Sequence, residues 1–243
     1  YLNLANTYYE IGKIELAIES YLICLKKNLN QPIALNNLAI AYQFTGQFTK
    51  SVDVCLDSFK LNDNISETYN IFGNSLRALK KNIDAEKAYK KAIELDQNNF
   101  NAFNNLANLY VDLKNPTEAI KNYKIAFSLN NKFASAQASL FDQRIKIGDW
   151  AAFKDFLKVR DTLGIVGEPI QPFLALNFED NPKNQMNRSI NFYKNKNYIL
   201  SPQEQNLDNY KNKKIRIGYF SSDFYDHATV RLIKGLLISH NKS

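Results

Sequence analysis

The sequence repeats with a period of 34 residues over its first 131 positions, and this periodicity constrains the fold more than any other feature. Five columns of similar residues keep the step, three with small side chains and two with large ones. The columns are Ala5, Ala39, Gly73 and Ala107; Tyr8, Tyr42, Leu76 and Tyr110; Ala17, Ser51, Ala85 and Ala119; Tyr21, Cys55, Tyr89 and Tyr123; and Cys24, Ser58, Ala92 and Ala126. Small residues at fixed positions predict paired helices that cross closely. Repeats of this length bury their apolar faces only by stacking on their neighbours.

Turn residues separate the two helices of each unit. Gly12, Gly46 and Asn115 stand where a residue in the left-handed conformation would end the first helix. Pro116 then opens the second helix at a position whose amide is unpaired in any case. The pattern resembles the tetratricopeptide repeat (TPR), with four units over residues 1–131. The predicted fold is therefore mainly α, a right-handed TPR α-solenoid with a concave groove.

Asparagine recurs at one position of these units, although it is a poor former of helix interiors. Asn3, Asn37 and Asn105 precede the Leu–Ala pair in "LNLAN", "NNLAI" and "NNLAN", and Ile71 interrupts the column. We interpret the column as a ladder of amides that binds the backbone of an extended peptide. The alternative is that an Asn-rich sequence places asparagine wherever polarity is tolerated. The two cysteines fall in repeat columns of the second helices, which indicates core packing rather than reactivity.

After the fourth unit the repeat pattern decays. Residues 132–164 keep a helix–Gly–helix outline, and we interpret them as a degenerate capping unit with Phe141 in place of the small residue and Trp150 as an anchor. Residues 165–212 are a linker containing one helix. Its start is predicted at Asn181–Pro182, and Met186, Ile190 and Tyr193 recur at helical spacing as residues that pack.

The last segment, residues 213–243, has a different character. Ile215, Ile217, Tyr219 and Phe220 predict a buried strand, a loop carrying His227 follows, and an amphipathic helix begins near Thr229. In α/β sheets, functional side chains gather in loops at the carboxyl ends of strands. This position makes His227 a candidate site residue.

Taken together, the pieces resemble glycosyltransferase family 41, which comprises O-linked N-acetylglucosamine transferases and SPINDLY-type proteins. The resemblance rests on TPR units with "NNLAN", on "GDWAAFKDF", on "IQPFLALNFEDNP" and on "KKIRIGYFSSDFYDHATVRL". It implies that residues 213–243 are the first strand and helix of a truncated GT-B-type catalytic region.

The same resemblance implies a function. Asp223, Phe224 and His227 match the family's motif, so His227 is implied as a catalytic residue and Asp223 as a substrate-binding one. The implied reaction moves N-acetylglucosamine from UDP-GlcNAc to Ser or Thr of proteins recruited by the TPR groove, without metal or cofactor. The chain alone is expected to be inactive, because the nucleotide-binding lobe is missing. Two alternatives stay open, an O-fucosyltransferase of the SPINDLY type and a TPR interaction scaffold without transferase activity.

Composition also limits the classes of protein to which the chain can belong. The net charge is +7, but Lys and Arg are dispersed among Asp and Glu, so we expect no nucleic-acid partner. No segment approaches the ~20 apolar residues of a membrane span. Two cysteines without a CxxC motif argue against a disulfide scaffold or metal site and favour the cytoplasm. The chain starts with Tyr1 inside a repeat, so we expect it to be a fragment.

Overall fold

The computed structural model describes residues 1–28 and 30–195, and all regular secondary structure within them is helical. The predicted strand and helix of residues 213–243 and the end of the linker lie outside the described residues. Twelve helices are described: α1 (Leu2–Glu10), α2 (Ile14–Lys27), α3 (Pro32–Phe44), α4 (Phe48–Leu61), α5 (Ser66–Ala78), α6 (Asn82–Leu95), α7 (Phe100–Asp112), α8 (Pro116–Leu129), α9 (Ala134–Lys146), α10 (Ala151–Leu157), α11 (Pro172–Ala175) and α12 (Pro182–Asn195).

The helices from α1 to α9 stack in chain order, each against the next. We call α1, α3, α5 and α7 the A helices. Each A helix also contacts the next A helix along the chain. We call α2, α4, α6 and α8 the B helices. This serial stacking is solenoid-like, and the small-residue columns explain it, because Ala5, Ala17 and Ser51 are fully buried where helices cross.

Most turns inside the units end the first helix through a left-handed residue. Gly12 and Gly46 have φ of 77° and 73°, as predicted. The prediction for Asn115 is wrong, because Lys114 takes the left-handed conformation there with φ of 56°. Asn115 instead caps the next helix, its side chain accepting a hydrogen bond from the Glu118 amide at 3.2 Å.

The helices after α8 form a separate core. Phe141 from α9 packs edge-on against Phe156 at 6.0 Å between ring centroids, and Phe156 lies 4.7 Å from Phe178. Phe141 at the small-residue position therefore builds a new aromatic cluster. Trp150 is 74% exposed at the start of α10, outside this cluster, and its role as an anchor stays a prediction.

The helix α12 begins at Pro182 with Asn181 before it, as predicted, but it turns the opposite face to the core. Met186, Ile190 and Tyr193 are exposed, whereas Asn184 and Arg188 are buried. The prediction that the apolar positions pack inward is wrong, because the inward face of α12 binds the Leu163 carbonyl and the nearly buried Glu179 carboxylate instead.

Candidate functional site

The A helices carry a polar surface that we call the A face. Its residues come from consecutive A helices and line two clefts described below: Asn6, Tyr9, Asn37, Gln43, Asn74, Arg77, Asn105 and Asp112. The predicted ladder residue Asn3 lies on α1 and is exposed. Asn37 and Asn105 are half-buried on α3 and α7.

Charge is distributed unevenly between the two sets of helices. The four A helices contain four charged residues, namely Glu10, Glu67, Arg77 and Asp112. The four B helices contain eight acidic and nine basic residues. The charged side chains of these eight helices, of both signs, are therefore concentrated on the B helices, and the A face offers amides and hydroxyls instead.

Asn37 belongs to a hydrogen-bonded cluster at the junction of the first two units. Its Nδ2 donates to Asn6 Oδ1 at 3.0 Å, and Tyr21 Oη donates to the same oxygen at 2.7 Å. Burial raises the pKa of Tyr21, and the phenol is accordingly the donor of this bond at neutral pH. We call the set formed by Asn6, Tyr21 and Asn37 the first junction cluster.

The Asn–Tyr pair of that cluster recurs in the third and fourth units. Tyr89 Oη donates to Asn74 Oδ1 at 2.8 Å, and Tyr123 Oη donates to Asn108 Oδ1 at 2.5 Å. Burial raises the pKa of Tyr123 to about 12, which keeps its phenol protonated. Asn105 is placed differently from Asn37, because its Nδ2 donates to Asn70 Oδ1 at 2.9 Å.

The second unit replaces the whole cluster by apolar side chains. Ile40 stands at the Asn position, Cys55 at the Tyr position and Ile71 at the position of Asn37, and they pack together. This explains why Ile71 interrupts the Asn column, since an asparagine there would have no polar partner. Burial raises the pKa of the Cys55 thiol to about 12, which agrees with a packing role.

Asn37 and Asn105 thus have a structural role, because each donates to an asparagine of the preceding A helix. The role of Asn3, Asn37 and Asn105 in binding an extended peptide stays a prediction. Asp223 and His227 lie outside the described residues, and their predicted roles stay predictions as well. The residues that sequence reasoning missed are Asn6, Asn74 and Asn108, although their own 34-residue spacing was a readable signal.

Two clefts open on the A face. The first has a volume of about 250 Å³ and is lined by Asn6, Tyr9, Glu10, Tyr21, Asn37 and Ile40. The second has a volume of about 520 Å³, runs across α3, α5 and α7, and is lined by Gln43, Asn74, Arg77, Ala78, Lys80, Asn105 and Asp112. Both clefts present side-chain amides, which donate and accept hydrogen bonds as a peptide backbone does.

The second cleft is held by bonds between successive A helices. Gln43 Nε2 donates to the Ile71 carbonyl at 2.6 Å and to Ser75 Oγ at 2.7 Å. Arg77 Nε donates to Asp112 Oδ2 at 2.7 Å. Arg77 and Asp112 neutralise each other, which leaves Lys80 as the one charge of this lining that has no ion pair among the described residues.

Among the described residues there is no group of three or more His, Cys, Asp or Glu side chains arranged to bind a metal ion. None of the described helices combines the length and apolar character that crossing a bilayer requires.

Comparison with known proteins identifies the repeats. A TPR repeat profile matches residues 73–114, and a tetratricopeptide repeat profile matches residues 1–26 and 100–133. The human protein O-mannosyl-transferase TMTC3 is 28% identical over 54% of this chain and 16% of its own length. Human RNA polymerase II-associated protein 3 is 32% identical over 42% of this chain and 15% of its own length. The small glutamine-rich TPR protein 2 of Mycosarcoma maydis is 29% identical over 34% and 24%. The chain therefore spans less than a quarter of these relatives.

Solved structures show the same fold. Pseudomonas aeruginosa pilF superposes with a TM-score of 0.59 and 18% identity, covering 80% of this chain and 89% of that one. A thermophilic TPR protein of Thermus thermophilus gives a TM-score of 0.59 at 16% identity, covering 79% and 96%. These profiles and relatives identify TPR units and support the interaction-scaffold alternative better than membership of glycosyltransferase family 41.

Proposed function

We propose that this chain, a tetratricopeptide-repeat protein, acts as a protein-interaction scaffold whose A face binds an extended polypeptide through its main chain. The observation that carries the proposal is the segregation of charge, since seventeen charged residues lie on the four B helices and four on the A helices. A surface rich in amides and poor in charge is suited to a ligand recognised by its backbone, because every peptide unit offers one donor and one acceptor.

Asn37 illustrates the proposed hydrogen bond between a side-chain amide and the backbone of the ligand. Its Nδ2 group bonds to Asn6, and within the part of the chain that the structure describes its Oδ1 accepts no hydrogen bond. Asn37 lines the first cleft, and in the proposal its Oδ1 accepts a hydrogen bond from a ligand amide. Asn105 has a different partner, with its Nδ2 bound to Asn70, but its side chain likewise lines a cleft, the second one. Both amides are therefore oriented before a ligand arrives, which reduces the entropy lost on binding.

The test uses a peptide selected from a random twelve-residue phage library against the whole 243-residue chain. Replacing Asn37 and Asn105 together by alanine is expected to weaken its binding about tenfold, the equivalent of one or two net hydrogen bonds. Fluorescence anisotropy with the labelled peptide gives the Kd. The matched control is Asn98→Ala with Asn131→Ala, two exposed asparagines outside the helices, which should change the Kd less than twofold.

Two outcomes of that experiment oppose the proposal. The first is an unchanged Kd for the Asn37→Ala/Asn105→Ala chain when its circular dichroism also equals that of the wild type. The second is an equal loss in the control variant. Because the A face is nearly neutral, we also expect the Kd to change less than about threefold between low salt and 0.5 M salt.

We propose glycosyl transfer as a second candidate, for a longer protein that includes this chain. The observation that favours it is the segment "KKIRIGYFSSDFYDHATVRL" and its similarity to the entry into the catalytic region of glycosyltransferase family 41. In this candidate the A face recruits the acceptor protein, and the imidazole of His227 accepts the proton of a Ser or Thr hydroxyl.

This candidate is tested on the longer protein with radiolabelled UDP-GlcNAc, an activated fucose donor in a parallel assay, and an acceptor that the A face binds. We expect labelled Ser or Thr in the acceptor and a loss of roughly a hundredfold or more in rate on His227→Ala. Absence of label with both donors contradicts the candidate and leaves the scaffold proposal intact.

A further inference from the structure

A further cleft, lined by residues of α4, α5 and α6, shares no lining residue with the two clefts of the A face. The helices α4 and α6 both pack against α5, whose side chains form the floor between them. We call this cleft the B groove. It has a volume of about 510 Å³ and is lined by Val52, Tyr69, Phe72, Leu76, Lys81, Asp84, Lys87, Ala88 and Lys91. A volume of this size accommodates several side chains of a peptide.

The floor of the B groove is apolar and rigid. Leu76 and Ala88 are buried at its base, and Val52 and Phe72 are partly exposed above them. Phe72 is fixed by an edge-on contact with Phe59 at 5.4 Å between ring centroids. An apolar ligand side chain would therefore meet a preformed surface and release water from it.

The rim of the B groove is basic. Lys81 and Lys87 are exposed and form no ion pair with any described residue, while Lys91 Nζ pairs with Glu94 Oε1 at 2.8 Å. Asp84 is the one acidic residue of the lining, and it lies in the first turn of α6, where the helix dipole favours a negative charge. Two lysines thus remain without an internal partner beside an apolar floor.

The combination of an apolar floor and a basic rim occurs at one junction of the repeats. The residues 34 positions before Lys81, Lys87 and Lys91 are Gln47, Asp53 and Asp57, and those 34 positions after are Asn115, Lys121 and Ile125. The preceding junction carries two acidic residues at the rim, and the following one has a single lysine. The three lysines of the rim are therefore particular to α6 and the residue that precedes it.

We propose that the B groove is a second docking site, which binds a partner segment carrying apolar side chains flanked by aspartate or glutamate. Charge complementarity argues for this occupant: Lys81 and Lys87 meet the carboxylates while Phe72 and Val52 meet the apolar side chains. The site is independent of the A face, so the scaffold would hold two partners of different chemistry at once.

The probe is a fluorescein-labelled peptide in which a Phe–Leu pair is flanked on both sides by Asp–Glu pairs. Its counterpart carries lysine in place of every acid. The whole chain is expected to bind the acidic probe at least tenfold more tightly than the basic one, and the affinity should fall as salt rises. Lys81→Glu with Lys87→Glu should weaken the acidic probe by tenfold or more and improve binding of the basic probe.

The matched control is Lys26→Glu with Lys124→Glu, which changes the net charge equally on B helices outside the groove. It should alter the Kd of the acidic probe less than about threefold. If the Lys81→Glu/Lys87→Glu chain and the Lys26→Glu/Lys124→Glu chain lost affinity for the acidic probe equally, the probe would be attracted by general positive charge and the proposal would be overturned. Equal affinity of the wild type for the acidic and basic probes would overturn it as well. The variant Asn37→Ala/Asn105→Ala should bind the acidic probe as the wild type does, which separates this result from that of the A face.

Discussion

Replacement of Arg188 by leucine is expected to destabilise the part of the chain around α12 by about 3–5 kcal/mol. Arg188 is fully buried, and its guanidinium bonds three acceptors on two other segments. Nε donates to the Leu163 carbonyl at 3.0 Å, Nη1 pairs with the Glu179 carboxylate and Nη2 donates to the Arg160 carbonyl. Leucine would leave the nearly buried Glu179 carboxylate without its counter-charge, which is the costly part of breaking a buried pair.

Native-state hydrogen exchange measures this effect, because it reports the opening of α12 separately from that of the repeats. The control is Met186→Ala on the same helix, which removes an exposed side chain and should cost less than about 0.5 kcal/mol. Arg188→Leu combined with Glu179→Gln should cost less than the two changes added together, because the unpaired charge is then absent. A loss below about 1 kcal/mol for Arg188→Leu would contradict the role given to this ion pair.

Replacement of Cys55 by tyrosine is expected to cost about 2–4 kcal/mol, and adding Ile40→Asn should recover at least half of it. Tyrosine occupies this position in the first, third and fourth units, where an asparagine accepts its hydroxyl hydrogen bond. In the second unit Ile40 and Ile71 surround Cys55, so the new hydroxyl of the single variant would be buried without an acceptor. The paired change supplies the acceptor.

Urea unfolding of the two single variants and the double variant gives the coupling free energy between positions 40 and 55. We expect about 1–3 kcal/mol in favour of the pair. Leu56→Tyr, at the exposed neighbouring position, is the control and should be nearly neutral. Strict additivity of the two changes would mean that the junction clusters are not cooperative units and that the interruption of the Asn column at Ile71 has another cause.

The repeats were predictable because the same local contacts recur every 34 residues. Small residues such as Ala5 and Ser51 mark helix crossings whatever their neighbours are. The Asn column was predictable in the same way, but the hydrogen-bond partners of its residues were not. Asn37 and Asn105 bond to Asn6 and Asn70, which lie on the preceding A helix. The spacing gave the positions, and only the packing of one unit on the next gave the hydrogen bonds.

Sequence reasoning was wrong where long-range contacts decide which face of a helix is buried. The apolar spacing of Met186 and Ile190 indicated the inward side of α12, yet Arg188 is inward because it satisfies carbonyl oxygens of residues 160 and 163. No local sequence pattern predicts such hydrogen-bond partners. The core beside α12 is built from Phe141, Phe156 and Phe178, three rings that tertiary packing brings together from separate positions of the chain.

The central claim is that the amides of the A face bind a polypeptide backbone. Its most direct test is the ¹⁵N spectrum of the side-chain amides of the whole chain during titration with the selected peptide. The Nδ2 signals of Asn37 and Asn105 should shift and their exchange with water should slow. Asn122, which is buried on α8 and donates to the Glu118 carbonyl at 2.8 Å, should stay unchanged. Saturation of binding with the Asn37 and Asn105 signals unmoved would contradict the claim.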